Sequence, residues 1–128
     1  MIVLGLGGLL NQAAAAVLKN GVLTAAVEQK KVARRHTPGE LPQEAVAACL
    51  KLADATPQEV DCVAVALPFS RAPESTFHLE LRSRFPASRL IMVEHQMAHA
   101  ASAYYASGFD HATVLTLDRS GDFRCGAR

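Results

Sequence analysis

The sequence lacks an excess of charge of either sign, a cysteine pair at metal-binding or redox spacing, and any apolar run long enough to cross a bilayer. Its 13 lysines and arginines stand against 12 aspartates and glutamates, a formal net charge of +1 over 128 residues. The basic field that neutralises a phosphate backbone is therefore missing, which argues against a nucleic-acid partner. Cys49, Cys62 and Cys125 are odd in number and form neither CxxC nor CxxxC. That removes a disulfide framework and a cysteine zinc site, and it points to a reducing compartment. The apolar Met1–Leu10 stretch is too short to span a membrane and has no basic leader, so a cytoplasmic protein with no membrane partner is expected. Internal repeats and low-complexity linkers are missing as well.

Half of the residues are hydrophobic and 20% are charged, a balance that suits one globular domain with a single core. Ile2–Leu6 is an aliphatic run stopped by Gly7-Gly8 and reads as a strand buried on both faces. Ala14–Leu18 and Val22–Val27 flank Lys19-Asn20-Gly21, and Asn-Gly between two such runs signals a hairpin because both residues tolerate positive φ. Glu28–Pro42 is polar and basic, from Lys30 to His36, and reads as a mobile surface connection. Pro42 at a first helical position, followed by Val46, Cys49, Leu50 and Ala53, describes an amphipathic helix. Thr56-Pro57-Gln58-Glu59 has the capping-box pattern and precedes a strand over Cys62–Leu67. Beyond it come a short helix around Ser75–Arg84, a strand over Leu90–Val93 and a small-residue helix over Glu94–Ala106 closed by Ser107-Gly108. A final strand over Ala112–Leu117 leads to Asp118. The expected class is α/β: a mixed sheet of order βββαβαβαβ flanked by helices.

The most informative segment is Glu94-His95-Gln96-Met97-Ala98-His99. Histidines four apart on a helix project from one face, so both imidazoles reach a common metal ion, with iron or zinc suited to nitrogen donors. Among five histidines this spacing arises by chance in roughly one sequence in seven, so two half-buried histidines satisfied by hydrogen bonds are the competing reading. Asp118 ends an apolar strand, where carboxylates of open α/β sheets face the ligand crevice, and it would be a third donor. Its alternative role is to cap the turn that follows. Two histidines and one carboxylate leave coordination positions open for water or a phosphate oxygen. Gly7, Gly8, Ser120 and Gly121 are candidates for cofactor contact, since glycine lets backbone N–H groups approach a phosphate; an ordinary turn is the alternative. Gly5-Leu6-Gly7-Gly8 does not match GxGxxG, which disfavours a dinucleotide fold. Ser102 shares a helix face with His95 but has no visible base, so nucleophilic catalysis is unsupported.

Several of these segments together resemble one family. They are the Met1–Gly21 pattern, Val93-Glu94-His95-Gln96-Met97-Ala98-His99-Ala100-Ala101-Ser102-Ala103-Tyr104, Ser107-Gly108-Phe109 and Val114-Leu115-Thr116-Leu117-Asp118. The chain resembles the N-terminal domain of the carbamoyltransferase family that includes nodulation and antibiotic O-carbamoyltransferases. That domain is similar to the tRNA threonylcarbamoyl-transfer proteins, within the sugar kinase, Hsp70 and actin superfamily, so the resemblance implies an RNase H-like, actin-like ATPase lobe. It also implies His95, His99 and Asp118 as iron ligands, with zinc as the alternative, holding the phosphates of a nucleotide near carbamoyl-adenylate.

By the same resemblance, the activity is transfer of a carbamoyl group to a hydroxyl or amine of a small-molecule acceptor. Carbamoyl phosphate and ATP would be handled by a remainder that 128 residues cannot contain. Asn11 stands where the family has a histidine implicated in transfer, and Gln12 where it has an aspartate; Lys30, Lys31 and Arg119 also depart from its pattern. Residues 1–128 are therefore expected to be a single N-terminal lobe of a longer protein. A non-catalytic lobe that binds a partner or a second copy of itself is the alternative.

Overall fold

The computed structural model describes residues 1–34, 37–66, 74–121 and 124–127; for 74–76, 119–121 and 124–127 it describes the backbone alone. Strands β1 (Ile2–Gly7), β2 (Ala14–Lys19) and β3 (Val22–Glu28) form an antiparallel meander. Asn20 and Gly21 have φ of 53° and 81°, the two positive values that a tight hairpin turn needs to match strand twist. Strands β4 (Cys62–Ala66) and β5 (Arg89–Val93) then add parallel to β1, giving the order β3-β2-β1-β4-β5. Parallel pairing requires crossovers, supplied by α2 (Gln43–Leu52) before β4 and α3 (Glu74–Arg84) before β5. A one-turn helix, α1 (Gln29–Val32), precedes α2, and a 3-10 turn at Pro57–Glu59 precedes β4. Leu67 and the prolines at 68 and 73 lie outside the described residues.

Alternation along the strands decides what is buried. Leu4 and Leu6 of β1, Val17 of β2, and Val63 and Val65 of β4 are nearly inaccessible, and they form one core with Val46, Cys49 and Leu50 of α2 and Phe77 and Leu81 of α3. The intervening residues Val3, Gly5, Ala16 and Ala64 are only half-buried. The expectation that β1 is buried on both faces is thus corrected: the core helices close one side of the sheet, and an aliphatic run alone cannot report how many sides are covered.

Two further departures have local causes. The Glu28–Pro42 connection, expected to be a mobile surface segment, is anchored by Gln29, which is 3% exposed. Its Oε1 accepts a hydrogen bond from Ala45 N at 2.9 Å, and its Nε2 donates to Glu44. Pro42, the residue before α2, brings no capping side chain, so a glutamine remote in sequence satisfies an N-terminal amide of that helix. At the other end of α2, Lys19 Nζ donates to Ala53 O at 3.1 Å, a cation on helix carbonyls. The second departure is the last strand. It starts at Thr116, not Ala112, and leaves the main sheet: β6 (Thr116–Gly121) pairs antiparallel with β7 (Arg124–Ala127) in a separate two-stranded sheet. Leu115 and Leu117 are 67% and 80% exposed, so the apolar run that suggested a core strand is not in the core.

Replacing Gln29 by Ala strands the Ala45 amide and is expected to cost about 1–3 kcal/mol by urea denaturation; a loss under about 0.5 kcal/mol would mean that Gln29 does not cap α2. Burial pushes both the Cys49 and the Cys62 thiols above the ordinary range. Only the thiolate alkylates, and Cys49 is fully inaccessible. Iodoacetamide at pH 8 should therefore modify half-buried Cys62 well before Cys49 in peptide mass spectra, and equal rates would contradict this packing.

Candidate metal centre

Helix α4 (His95–Ser107) begins directly after β5. Glu94 ends the strand with extended backbone, and its carboxylate accepts from Gln96 N at 3.2 Å and Met97 N at 2.9 Å. An acidic cap pairs both with free amides and with the positive end of the helix, so the first turn is fixed where His95 sits. Gln96 is buried while His95 is about one-quarter exposed and His99 about half, which turns the two imidazoles outward together. At the far end, Gly108 adopts φ 73°, closing α4 as expected. Tyr104 Oη donates to Asp110 O at 2.8 Å, tying the following connection back to the helix.

The three proposed donors come together. His95 Nε2 lies 2.6 Å from Asp118 Oδ2 and 3.1 Å from His99 Nε2, and His99 Nε2 lies 3.6 Å from the same carboxylate oxygen. Two ligands each about 2.1 Å from one ion stand about 3.0–3.4 Å apart at octahedral or tetrahedral angles, a span these separations bracket. Proton counting points the same way. A neutral imidazole offers one N–H, and the tautomer that donates from Nε2 to Asp118 leaves that nitrogen no lone pair for His99. A divalent cation satisfies all three atoms at once, so the donor set fits a metal of the iron or zinc type.

The other candidate residues lie elsewhere. Asp118 is third in β6, not at the end of a core strand, so its approach to α4 comes from the separate hairpin. Gly7 is the last residue of β1 and Gly8 follows with φ 64°; parallel register places them at the sheet edge from which α4 departs. A Cβ at Gly8 would lie 2.3 Å from the Gln12 carbonyl oxygen, so this glycine is required by the loop's own closure. Asn11 is exposed, and its backbone N–H donates to Gly8 O at 2.9 Å. Gly121 pairs with Arg124, and the Ser120 side chain lies outside the described residues. Ser102 donates to the His99 carbonyl at 2.8 Å, which turns its hydroxyl onto the backbone. Sequence reasoning missed the capping role of Glu94; an acid between an apolar strand and a helix is the signal that identifies it.

The five-stranded order with these crossovers defines the class. The structure of YeaZ from Pseudomonas aeruginosa matches with a TM-score of 0.57 at 18% identity, over 84% of this chain and 52% of that one, and this is the actin-like ATPase fold. Residues 74–126 match the family described as Carbamoyltransferase N-terminus. Nodulation protein NolNO of Sinorhizobium fredii is 27% identical over 91% of this chain and 21% of its own length. Uncharacterized protein sll1178 of Synechocystis sp. is 27% identical over 94% of this chain and 26% of its own. By these matches the chain is similar to the N-terminal domain of carbamoyltransferases. It spans about a fifth to a quarter of the length of these curated relatives. No helix among the described residues is long and apolar enough to cross a membrane.

Gly8→Ala must hold a positive φ that costs a non-glycine residue about 1–2 kcal/mol and must also displace the Gln12 backbone. Thermal unfolding should fall accordingly, and an unchanged midpoint would show that the loop after β1 has room for a side chain.

Proposed function

We propose that this domain is the metal-bearing part of an enzyme that transfers a carbamoyl group from carbamoyl-adenylate to a hydroxyl or amine acceptor. The observation that carries the reading is the convergence of ligand atoms of His95, His99 and Asp118 within 4.8 Å of one another, in a chain similar to the N-terminal domain of carbamoyltransferases. His95 and His99 would supply nitrogen donors and Asp118 an oxygen donor, to iron in the first instance and to zinc as the alternative. A bound divalent ion would supply Lewis acidity and a fixed point for phosphate oxygens.

The chain's own groups do the rest of the work ascribed to this region. Glu94 holds the first turn of α4, so the imidazoles need no reorientation when a ligand arrives. The Gly7-Gly8 loop lies at the same carboxyl edge of the sheet, where open α/β sheets bind ligands. Residues of this chain would then orient the phosphate side of the donor, with carbamoyl phosphate, ATP and the acceptor handled by additional polypeptide. The hairpin of β6 and β7, a sheet of two strands with an exposed leucine, Leu117, would be the opening of a second lobe, since an isolated hairpin is marginal in water. A non-catalytic, partner-binding or self-associating lobe is the second reading. It is favoured by Asn11, whose side chain offers no titratable base in the exposed loop after β1.

Protein purified without chelator should contain about one iron or zinc per chain by elemental analysis. His99→Ala should weaken metal binding at least about 100-fold with the fold intact by circular dichroism. Full metal occupancy in that variant, or none in the parent after reconstitution with either ion, would remove the metal-assisted reading and leave the partner-binding one.

A further inference from the structure

The three donors do not belong to one rigid element. His95 and His99 are on α4, directly after the five-stranded sheet, whereas Asp118 is on β6, which hydrogen-bonds to β7 and not to the main sheet. Between them, residues 112–115 have no regular structure, and Leu115 is exposed. Leu117, beside the donor in β6, is 80% exposed, so its side chain adds little apolar burial to hold the strand in place. Among the described elements the hairpin packs chiefly against α4, and Asp118 joins it to α4 through His95 at 2.6 Å and His99 at 3.6 Å. Two of these groups already form a site, since histidines one turn apart bind an ion without help from any other element.

From this placement we infer that metal binding fastens the β6–β7 hairpin to α4, so that the ion acts as a conformational staple as well as a reaction centre. The inference rests on the metal reading above and adds a consequence to it. If Asp118 is the ligand contributed by the hairpin, an ion binds more tightly when the hairpin is docked, and by linkage the docked hairpin is more populated when the ion is bound. The helix with its two histidines would capture the ion, and the carboxylate would bring the strand to it. The position of everything that follows β6 would then depend on metal occupancy.

The test uses the full chain with zinc as a redox-inert probe and hydrogen exchange read by mass spectrometry. Because the histidine pair holds zinc in both forms, saturating zinc suppresses opening of the docked hairpin by the ratio of the docked to the open form's affinity, about 5- to 150-fold. Amides of Thr116–Gly121 should therefore slow by up to that factor, while those of β1 and β4 stay unchanged. Asp118→Asn should still bind zinc through the histidine pair, more weakly, and should show no slowing in β6 at saturation. Glu59→Gln, far from the site in the turn before β4, serves as the control and should behave as the parent. Zinc binding with unchanged exchange in β6, or equal slowing in Asp118→Asn at saturation, overturns the staple while the metal site stands. Failure of the parent to bind zinc or iron overturns both.

Discussion

The parallel ladder of β1, β4 and β5 is the constraint on which the remaining structure depends. Because these strands run the same way, their carboxyl ends share one edge of the sheet, and the chain leaves that edge into the Gly7-Gly8 loop after β1 and into α4 after β5. The Gly7-Gly8 loop and the Glu94–His95 junction share that edge for this reason, with β4 between their strands, although 85 residues separate Gly8 from Glu94 in the sequence. An antiparallel β5 would send α4 from the opposite edge, and the histidine pair with it.

What fixes the site locally is a succession of polar contacts at helix ends. Glu94 caps α4 with its own side chain, Gln29 caps α2 from a distance, and Lys19 holds the last carbonyls of α2. Each satisfies backbone groups that a helix cannot satisfy internally. The caps at α2 fasten that helix over β2 and β3 and so steady the sheet from behind. The cap at α4 sets the azimuth of the two imidazoles. Packing and chemistry are therefore divided: the apolar core lies under α2 and α3, while α4, where only Gln96 is fully buried, presents its residues outward.

The composition of the donor set is the ground for proposing a metal here in preference to a catalytic dyad. A histidine beside a carboxylate alone would be a base held in orientation, the arrangement of a hydrolase. Here a second imidazole directs its Nε2 at the Nε2 of the first, at 3.1 Å, which serves no proton transfer yet matches ligands around a common cation.

Much of this was legible in the residues themselves. Asn20-Gly21 specified the hairpin because only certain residues tolerate positive φ, and the spacing of Val46, Cys49 and Leu50 specified the buried stripe of α2, since a period of 3.6 places them on one side. The four-residue interval of His95 and His99 determined that the rings share a helix face. Tertiary structure alone decided three other matters: that β1 is closed on one side, that Gln29 is a buried cap and not part of a loose loop, and that Asp118 arrives from a separate hairpin. Periodicity records which residues avoid water, but neither the number of covering layers nor the partner of a strand is a local property. Both follow from which distant segments meet, and that is settled only when the whole chain packs.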